Sequence, residues 1–322
     1  MKRKHMSFLL IAGLFCALTV SVAGAGQYPS RQVTFVVPPA PGGGTDLLVR
    51  AMAPALKNAL GVNTVVVNKS GAGSAIGLTA GIKDNPDGYS VTTLTPELLA
   101  VPHVSQVEFT WKDYDLVACF NSTYGTLSVA ADAPYNTVAE FVEYAKANPG
   151  TLRFGNSGIG SNWHVLAAAF AAKAGIDVIH VPFDGGGPAA IAVAGKHIEA
   201  TTCSAQEVEV QVKAGKVKIL CIFSPERNPG FPDVPTGAEA GFPEPILTIF
   251  RGFGVPKGTP PEVIATLDEA VKKALVDPDV TKFMEAQHFD KDYRNGADFA
   301  KLMEQEDAIY KEQVAALGLS TK

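Results

Sequence analysis

The stretch VTFVVPPAPGGGTDLLVRAMAPALKNALG, residues 33–61, contains a complete strand, loop and helix, and it decides the fold class. Residues 33–37 are apolar and largely β-branched, which is typical of a buried strand. A glycine-rich loop follows, and over residues 46–60 the apolar side chains recur at helical spacing until Gly61 ends the helix. Pro54 lies inside this helix, where proline costs about 3 kcal/mol. This order predicts one unit of a parallel sheet covered by helices.

The same order of strand, loop and helix returns along the chain. Residues 64–67 form a second predicted strand, followed by the glycine-rich loop 68–74 and a short helix. A later series repeats the pattern with strand 152–154, loop 155–162, helix 163–174, strand 178–181 and loop 182–187. The repetition predicts an α/β protein in which glycine-rich loops connect strands to helices in both halves.

Chain length predicts two lobes rather than one core. About 297 residues would remain after removal of a leader, which exceeds the roughly 250 residues that one hydrophobic core usually serves. The polar residues 121–123 interrupt a β-rich run, and we interpret them as the first crossing between lobes. The predicted bounds are 26–121 for the first part of lobe one, 122–224 for lobe two, and 225–322 for a connector that returns to lobe one with C-terminal helices.

The first 25 residues have the three parts of a secretory signal peptide. Lys2, Arg3 and Lys4 precede an apolar run of about 15 residues, and Ala23-Gly24-Ala25 is a small-residue cleavage site. A spanning helix needs about 20 apolar residues, so the run is too short for a membrane anchor. We therefore expect export to the periplasm with cleavage near Ala25.

Composition excludes several classes of function. Loss of the three leader cations takes the formal charge from −5 to −8, and a net-acidic chain without basic clusters argues against nucleic acid as a partner. Cys119, Cys203 and Cys221 are widely spaced, so buried thiols are favoured over a bridge, which stays open. The histidines are scattered and predict no metal site. We expect a monomer that uses no cofactor.

Glycine- and serine-rich loops are the features that could bind a ligand. In open α/β sheets such loops line the crevice at the carboxyl ends of the strands. Backbone N–H groups at helix starts bind anions there without a cationic side chain. Hydroxyl groups add donors, and the sequence offers Thr45, Ser70, Ser74, Ser157 and Ser161 in these loops.

Two enzyme readings compete with a binding site. Residues 71–77 resemble a dinucleotide-binding loop, but the spacing is GxGxxxG and it follows the second strand. An exported serine hydrolase would use Ser157 or Ser161 with His164, yet neither serine has the flanking glycines of a nucleophile elbow. A helix cap is the simpler role for Ser161 or Asn162. We therefore expect no catalytic residue.

Eight short stretches, taken together and in order, resemble one protein family. They are residues 28–30, 36–46, 68–73, 85–89, 160–164, 181–189, 231–236 and 251–260. The chain resembles the substrate-binding receptors of tripartite tricarboxylate transporters, the TctC or Bug family. This resemblance implies a type II periplasmic binding protein fold, with two α/β lobes and a ligand cleft between them.

The resemblance also implies a function and a set of binding residues. Such receptors capture a small carboxylate, such as a dicarboxylate, an aromatic acid or an amino acid, and deliver it to large and small membrane permease subunits. Carried over by position, the ligand-binding residues are Pro41, Gly43, Gly44, Thr45, Asp46, Ser70, Gly71, Ala72, Ser157, Ser161, Asn162, Trp163, Phe183, Asp184 and Gly185. A ligand sensor that signals to another protein is an alternative that the sequence does not separate from a transport receptor.

Two positions depart from the family pattern. Asp184 lies where relatives often have lysine, and Trp163 is bulkier than the residue expected there. An acid at position 184 would disfavour a second or third ligand carboxylate nearby, which argues against citrate. An aromatic ligand could instead stack on Trp163 or Phe183.

Overall fold

A computed structural model describes residues 28–39, 41–183, 185–243 and 247–320. The expected signal peptide and Asp184 lie outside these described residues. The strands are β1 (Val33–Val37), β2 (Thr64–Asn68), β3 (Ser90–Leu94), β4 (Tyr114–Tyr124), β5 (Thr126–Ala130), β6 (Leu152–Asn156), β7 (Val178–Pro182), β8 (Ala200–Thr201), β9 (Val217–Ile222), β10 (Thr248–Pro256) and β11 (Lys291–Asn295). The helices are α1 (Gly44–Leu60), α2 (Ala75–Lys83), α3 (Glu97–Val104), α4 (Val138–Ala147), α5 (Asn162–Ala174), α6 (Gly186–Ala194), α7 (Ala205–Lys213), α8 (Pro261–Ala274), α9 (Pro278–Ala286) and α10 (Gly296–Ala316).

The first lobe is built on a six-stranded sheet in the order β11-β4-β10-β3-β1-β2. Strand β1 pairs in parallel with β2 and β3, whereas β10 runs antiparallel to β3 and β4. The ring of Phe253 lies 5.0 Å from that of Phe35 and 4.6 Å from that of Phe120, so three strands share one aromatic core. The parallel strands place the starts of α1, α2 and α3 along one edge of the sheet.

The second lobe is built on a five-stranded sheet in the order β7-β6-β8-β5-β9. Strand β6 pairs in parallel with β7 and β8, and β5 runs antiparallel to β8 and β9. Phe141, Phe154 and Phe170 are fully buried and pack together under this sheet. Helices α5, α6 and α7 therefore begin at the carboxyl ends of β6, β7 and β8. The α/β class and the two lobes predicted from the sequence are confirmed.

The chain passes from the first sheet to the second at Gly125. The break expected at residues 121–123 was wrong, because β4 continues through them and pairs with β10. Asn121 is fully buried, and its amide donates to the backbone carbonyl of Asp290 at 2.6 Å. A polar side chain with a bonding partner can continue a buried strand, which is why polarity did not mark the crossing.

The chain returns through residues 223–243 and 247, where the structure describes neither helix nor named strand. Thr236 still bridges to Ile222 of β9, so part of this connector rests on the second lobe. Helix α10 then covers the first lobe, and the Tyr310 hydroxyl donates to Asn162 of the second. No helix in the described part of the chain is both long and apolar enough to cross a bilayer.

The three cysteines in the described part of the chain form no bridge. Cys119, Cys203 and Cys221 are all unpaired and buried. Burial raises the pKa of the Cys119 and Cys221 thiols to about 12, so the reactive thiolate is scarce at neutral pH. The expectation of buried thiols as small apolar residues is confirmed for these positions.

Candidate functional site

Helix starts from both lobes line the two edges that face the crevice. In the first lobe α1, α2 and α3 follow β1, β2 and β3, and in the second α5, α6 and α7 follow β6, β7 and β8. The first backbone N–H groups of each helix have no partner inside the helix and carry partial positive charge. A β carbon on Gly160, before α5, would lie 3.7 Å from Val104 at the end of α3, so the two lobes are in close contact here. The arrangement suits an anion held between the lobes.

The start of α1 is open to a ligand. Gly43 occupies the N-cap position and provides no side-chain cap. Pro41, Gly43 and Gly44 are exposed, whereas Thr45 is buried. Because glycine at the cap leaves the first N–H groups of the helix uncovered, an external oxygen can reach them. This is the geometry that the glycine-rich sequence predicted, and ligand contact itself stays a prediction.

The side chain of Asp46 fixes the conformation of this loop through hydrogen bonds. Its carboxylate is buried and accepts hydrogen bonds from Gly42 N at 2.8 Å, Arg50 Nε at 3.0 Å and Asn68 Nδ2 at 2.9 Å. Desolvation alone would raise the pKa of Asp46, but the bonds from Arg50, Gly42 and Asn68 outweigh it and lower the pKa. The carboxylate is therefore occupied by the protein, and Asp46 organises the loop instead of presenting its charge to the crevice.

The loop before α2 lies on the same edge. Ser70, Gly71 and Ala72 are exposed, and Gly71 and Ala72 have positive φ angles of 130° and 46°. Lys69 N donates to Val37 O at 3.1 Å, which ties this loop to the end of β1. The structure thus brings together the two lobe-one loops that the sequence selected.

In the second lobe Ser157 and Ser161 are partly exposed in the loop between β6 and α5, and Asn162, the first residue of α5, is partly exposed as well. Ser161 is the N-cap of α5, and its hydroxyl accepts from the His164 backbone N–H at 3.3 Å. The predicted capping role is confirmed. The oxygen of Ser161 is directed at a backbone donor, and no described contact activates it as a nucleophile.

Replacing Ser161 with Ala should lower the free energy of unfolding by about 1 kcal/mol, because an N–H at the start of α5 loses its acceptor. Urea denaturation of the wild type and variant measures this difference. Ser161→Thr retains a capping oxygen and is the matched control. Equal losses for the Ala and Thr variants would contradict the capping role.

His164 does not form a catalytic pair with these serines. It is buried, and its Nδ1 accepts from Gly160 N at 3.0 Å. Burial lowers the pKa of His164 to about 4, with a smaller effect from neighbouring His180, so the ring is neutral at pH 7. The described residues also contain no group of three side chains that could hold a metal ion.

Trp163 does not offer a stacking surface. Its side chain is 1% exposed, and its indole N–H donates to Glu207 Oε2 at 3.0 Å. Glu207 also accepts from Ser204 N at 2.9 Å, so the indole joins α5 to the capping box of α7. The expectation that an aromatic ligand stacks on Trp163 is not supported, because the ring is packed inside the second lobe.

The remaining predicted residues flank the start of α6. Phe183 is partly buried, and its backbone N–H donates to Asn156 O at 3.0 Å. Gly185 is the N-cap of α6 with a φ angle of 113°, a conformation that favours glycine. Asp184, which separates them in the sequence, is outside the described residues. Its expected effect, to disfavour ligands with a second or third carboxylate, therefore stays a prediction.

Sequence reasoning missed one cationic side chain in the crevice. Arg251 of β10 donates from Nε to Thr45 Oγ1 at 3.0 Å and from Nη1 to Asn121 Oδ1. It therefore lies beside the start of α1, although the two are more than 200 positions apart in sequence. The available signal was a charged residue inside the otherwise apolar run of residues 247–256.

A cavity of about 400 Å³ opens between the lobes close to this arginine. Ala205, Gln206 and Glu209 of α7 contribute one side, and residues 288–291 contribute the other. The ring of Phe289 lines the cavity and lies 5.0 Å from the Arg251 guanidinium. The cavity thus extends from the second lobe to Phe289, the residue whose ring lies beside Arg251.

Known proteins of one family resemble the chain over most of its length. The family model described as the tripartite tricarboxylate transporter family receptor matches residues 48–319. BugT from Bordetella pertussis is 30% identical over 286 residues, which are 87% of each chain. A UPF0065 protein from Pseudomonas sp. is 31% identical over 284 residues, covering 85% of this chain and 83% of that protein.

Solved structures agree in fold as well as in sequence. A TctC solute-binding protein from Polaromonas, crystallised without ligand, is 40% identical with a TM-score of 0.85, covering 90% of this chain and 99% of that one. An R. palustris protein with adipate is 28% identical, with a TM-score of 0.71 and coverage of 91% and 99%. MatC from Rhodopseudomonas palustris with bound malate is 27% identical, with a TM-score of 0.68 and coverage of 89% and 100%. The chain belongs to the receptor family of tripartite tricarboxylate transporters.

Proposed function

We propose that the protein is a periplasmic receptor that captures a small carboxylate and delivers it to a membrane permease with a large and a small subunit. Export would follow from the signal peptide, with cleavage near Ala25. The observation that carries the proposal is the uncapped start of α1, which faces the crevice and is lined by exposed glycines. Family membership and the adipate and malate held by two relatives support a carboxylate as the ligand.

Binding rather than catalysis is the proposed activity. Ser161 serves as a helix cap, and the neutral His164 ring accepts its hydrogen bond from the backbone. The crevice is formed by helix starts of both lobes, so one ligand can contact both. A ligand that contacts both lobes stabilises the closed arrangement, because it binds that arrangement more tightly than the open one.

Thermal unfolding with a panel of acids tests this proposal. The panel contains malate, succinate, adipate, citrate and benzoate, each beside its neutral methyl ester as control. An acid at 100 times its dissociation constant should stabilise the fold by about 2.7 kcal/mol. For a chain of this size the midpoint would then rise by about 5 °C, while the esters leave it unchanged.

One set of results would contradict the receptor proposal. If no acid raises the midpoint, while an ester is hydrolysed and Ser157→Ala abolishes that hydrolysis, the receptor proposal fails. An exported serine hydrolase would then be the better account of the same loops.

A further inference from the structure

Three contacts fix the guanidinium of Arg251. Its Nε donates to Thr45, its Nη1 donates to Asn121, and the Phe289 ring lies 5.0 Å from the guanidinium carbon. Among the described residues Nη2 has no hydrogen-bond partner. An arginine fixed in this way keeps the N–H groups of Nη2 available in a defined position, where they can donate to a carboxylate oxygen.

The free nitrogen is directed toward the start of α1. A β carbon built on Gly44 would lie 3.4 Å from Nη2, so the guanidinium touches the first residue of the helix. The uncapped N–H groups of α1 and the donors of Nη2 therefore lie side by side. Both kinds of donor need an acceptor that the described part of the protein does not supply.

Another polar group without a partner lies next to Arg251. Gly252 pairs with Leu94 of β3, which brings Thr95, the next residue, alongside Arg251. Thr95 is 2% exposed, and its hydroxyl has no partner among the described residues. A buried polar group without a partner is costly, and such groups gather where a ligand or water completes the bonding.

Arg251 also has no counter-ion among the described residues. No described carboxylate lies within ion-pair distance of it, although Glu97 and Glu207 act on it at longer range. Desolvation lowers the pKa of Arg251 to about 10, so the group is still cationic at neutral pH. A desolvated cation without a counter-ion is unfavourable in the empty protein and is stabilised when an anion binds.

We propose that Arg251 binds a carboxylate of the ligand directly through Nη2, with the same carboxylate resting on the start of α1. This inference rests on the proposed receptor function and names the residue that makes the crevice selective for acids. The exposed glycines allow the oxygens to approach the backbone, and Arg251 supplies the charge that the helix start lacks. Asn121, Thr45 and Phe289 position the guanidinium.

Calorimetric titration of Arg251→Met with the acid panel and methyl esters described above tests the inference. Loss of a charged hydrogen bond should weaken binding of each acid that the wild type binds by about 10- to 100-fold. The preference for acid over ester should disappear as well, which a merely structural role would not cause. Arg251→Lys restores a cation without the planar fork and should recover part of both effects.

Arg31→Met is the matched control. Like Arg251, Arg31 donates a hydrogen bond to a side chain and lies over an aromatic ring. Its Nη2 lies 3.1 Å from Asp87 Oδ2, and its guanidinium carbon lies 3.7 Å from the centre of the Tyr89 ring. Arg31 lies before β1, at the end of the strand opposite the start of α1. This control should bind acids like the wild type. If Arg251→Met is unfolded without ligand, Arg251→Lys and Arg251→Gln carry the comparison.

The possible failures are distinguishable. Suppose that Arg251→Met is folded, binds each acid with a dissociation constant within about threefold of the wild-type value, and still prefers acids to esters. That result overturns the inference about Arg251 and leaves the receptor function standing. A wild type that binds no acid of the panel overturns both.

Discussion

Replacing Gly77 with Ala is expected to destabilise the protein by about 3 kcal/mol, at the upper end for a substitution that adds one methyl group to a packed site. A β carbon at Gly77 would lie 2.4 Å from the carbonyl oxygen of Lys69 and 2.8 Å from Cα of Pro38. Both atoms belong to backbone, so no side-chain rotation relieves the contact. Helix α2 would have to move away from the two loops of the candidate site.

Thermal unfolding without ligand measures this effect, and a fall of about 5 °C in the midpoint is expected. Gly187→Ala is the matched control, because Gly187 lies in α6 with no heavy atom within 4 Å of an added β carbon. Alanine there should be neutral or stabilise by up to about 1 kcal/mol, since glycine is unfavourable inside a helix. Similar losses at both positions would show that close packing of α2 is not the cause.

The Gly77 contact also accounts for the GxGxxxG pattern. The third glycine of residues 71–77 allows the helix to approach the backbone at the ends of β1 and β2. The first has a φ angle of 130°, which strongly favours glycine, and the second has one of 59°. The turn and the close approach of α2 therefore account for the first and third glycines without a dinucleotide.

Replacing Glu306 with Gln is expected to remove one contribution that lowers stability as the pH rises from 5 to 7.5. Glu306 is fully buried in α10, and its Oε1 accepts from Thr248 N at 2.9 Å and Thr248 Oγ1 at 2.8 Å. Oε2 has no partner among the described residues. Burial raises the pKa of Glu306 to about 8, and the bonds from Thr248 reduce this rise only in part.

The sign of this pH effect follows from the pKa of Glu306 in the folded and in the unfolded protein. The folded protein keeps the proton on Glu306 up to about pH 8, whereas the unfolded chain releases it near the ordinary value of 4.5. Between these values the unfolded state binds fewer protons, so stability falls as the pH rises. The loss contributed by this group amounts to about 3 kcal/mol from pH 5 to pH 7.5.

Urea denaturation across this pH range measures the effect. Glu306→Gln should be more stable than the wild type at pH 7.5, and this difference should shrink by about 3 kcal/mol at pH 5, because the amide carries no charge at any of these pH values. Glu304→Gln, on an exposed position of the same helix, is the control and should follow the wild type. A difference between variant and wild type that stays constant from pH 5 to pH 7.5 would show that Glu306 does not titrate in this range.

The repeated units of strand, loop and helix could be read from the sequence because their signals are local. The apolar run of β1, the glycine loop and the helix ending at Gly61 all appear as predicted, and Pro54 does lie inside α1. The cap at Ser161 was visible for the same reason, since the bond spans three residues. Local backbone preferences and hydrophobic periodicity are properties of adjacent residues.

The crossing between lobes was not visible in this way. Polarity at residues 121–123 suggested a break, yet Asn121 is a buried member of β4 that bonds to Asp290 and Arg251. Gly125, the actual crossing, carries no polar signal. What distinguishes it is that a β carbon there would lie 2.7 Å from Thr202 O, a contact formed only after both sheets assemble.

The sequence by itself determined the two-lobed α/β architecture and the loops that start the helices of the crevice. Tertiary structure alone decided which of the side chains near these loops are buried and which charges are paired. It buried Trp163 against the second lobe, turned the Asp46 carboxylate into its own loop, and placed Arg251 beside the start of α1. The physical reason is that loop position is set by neighbouring residues, whereas burial and charge pairing depend on groups brought together from distant parts of the chain.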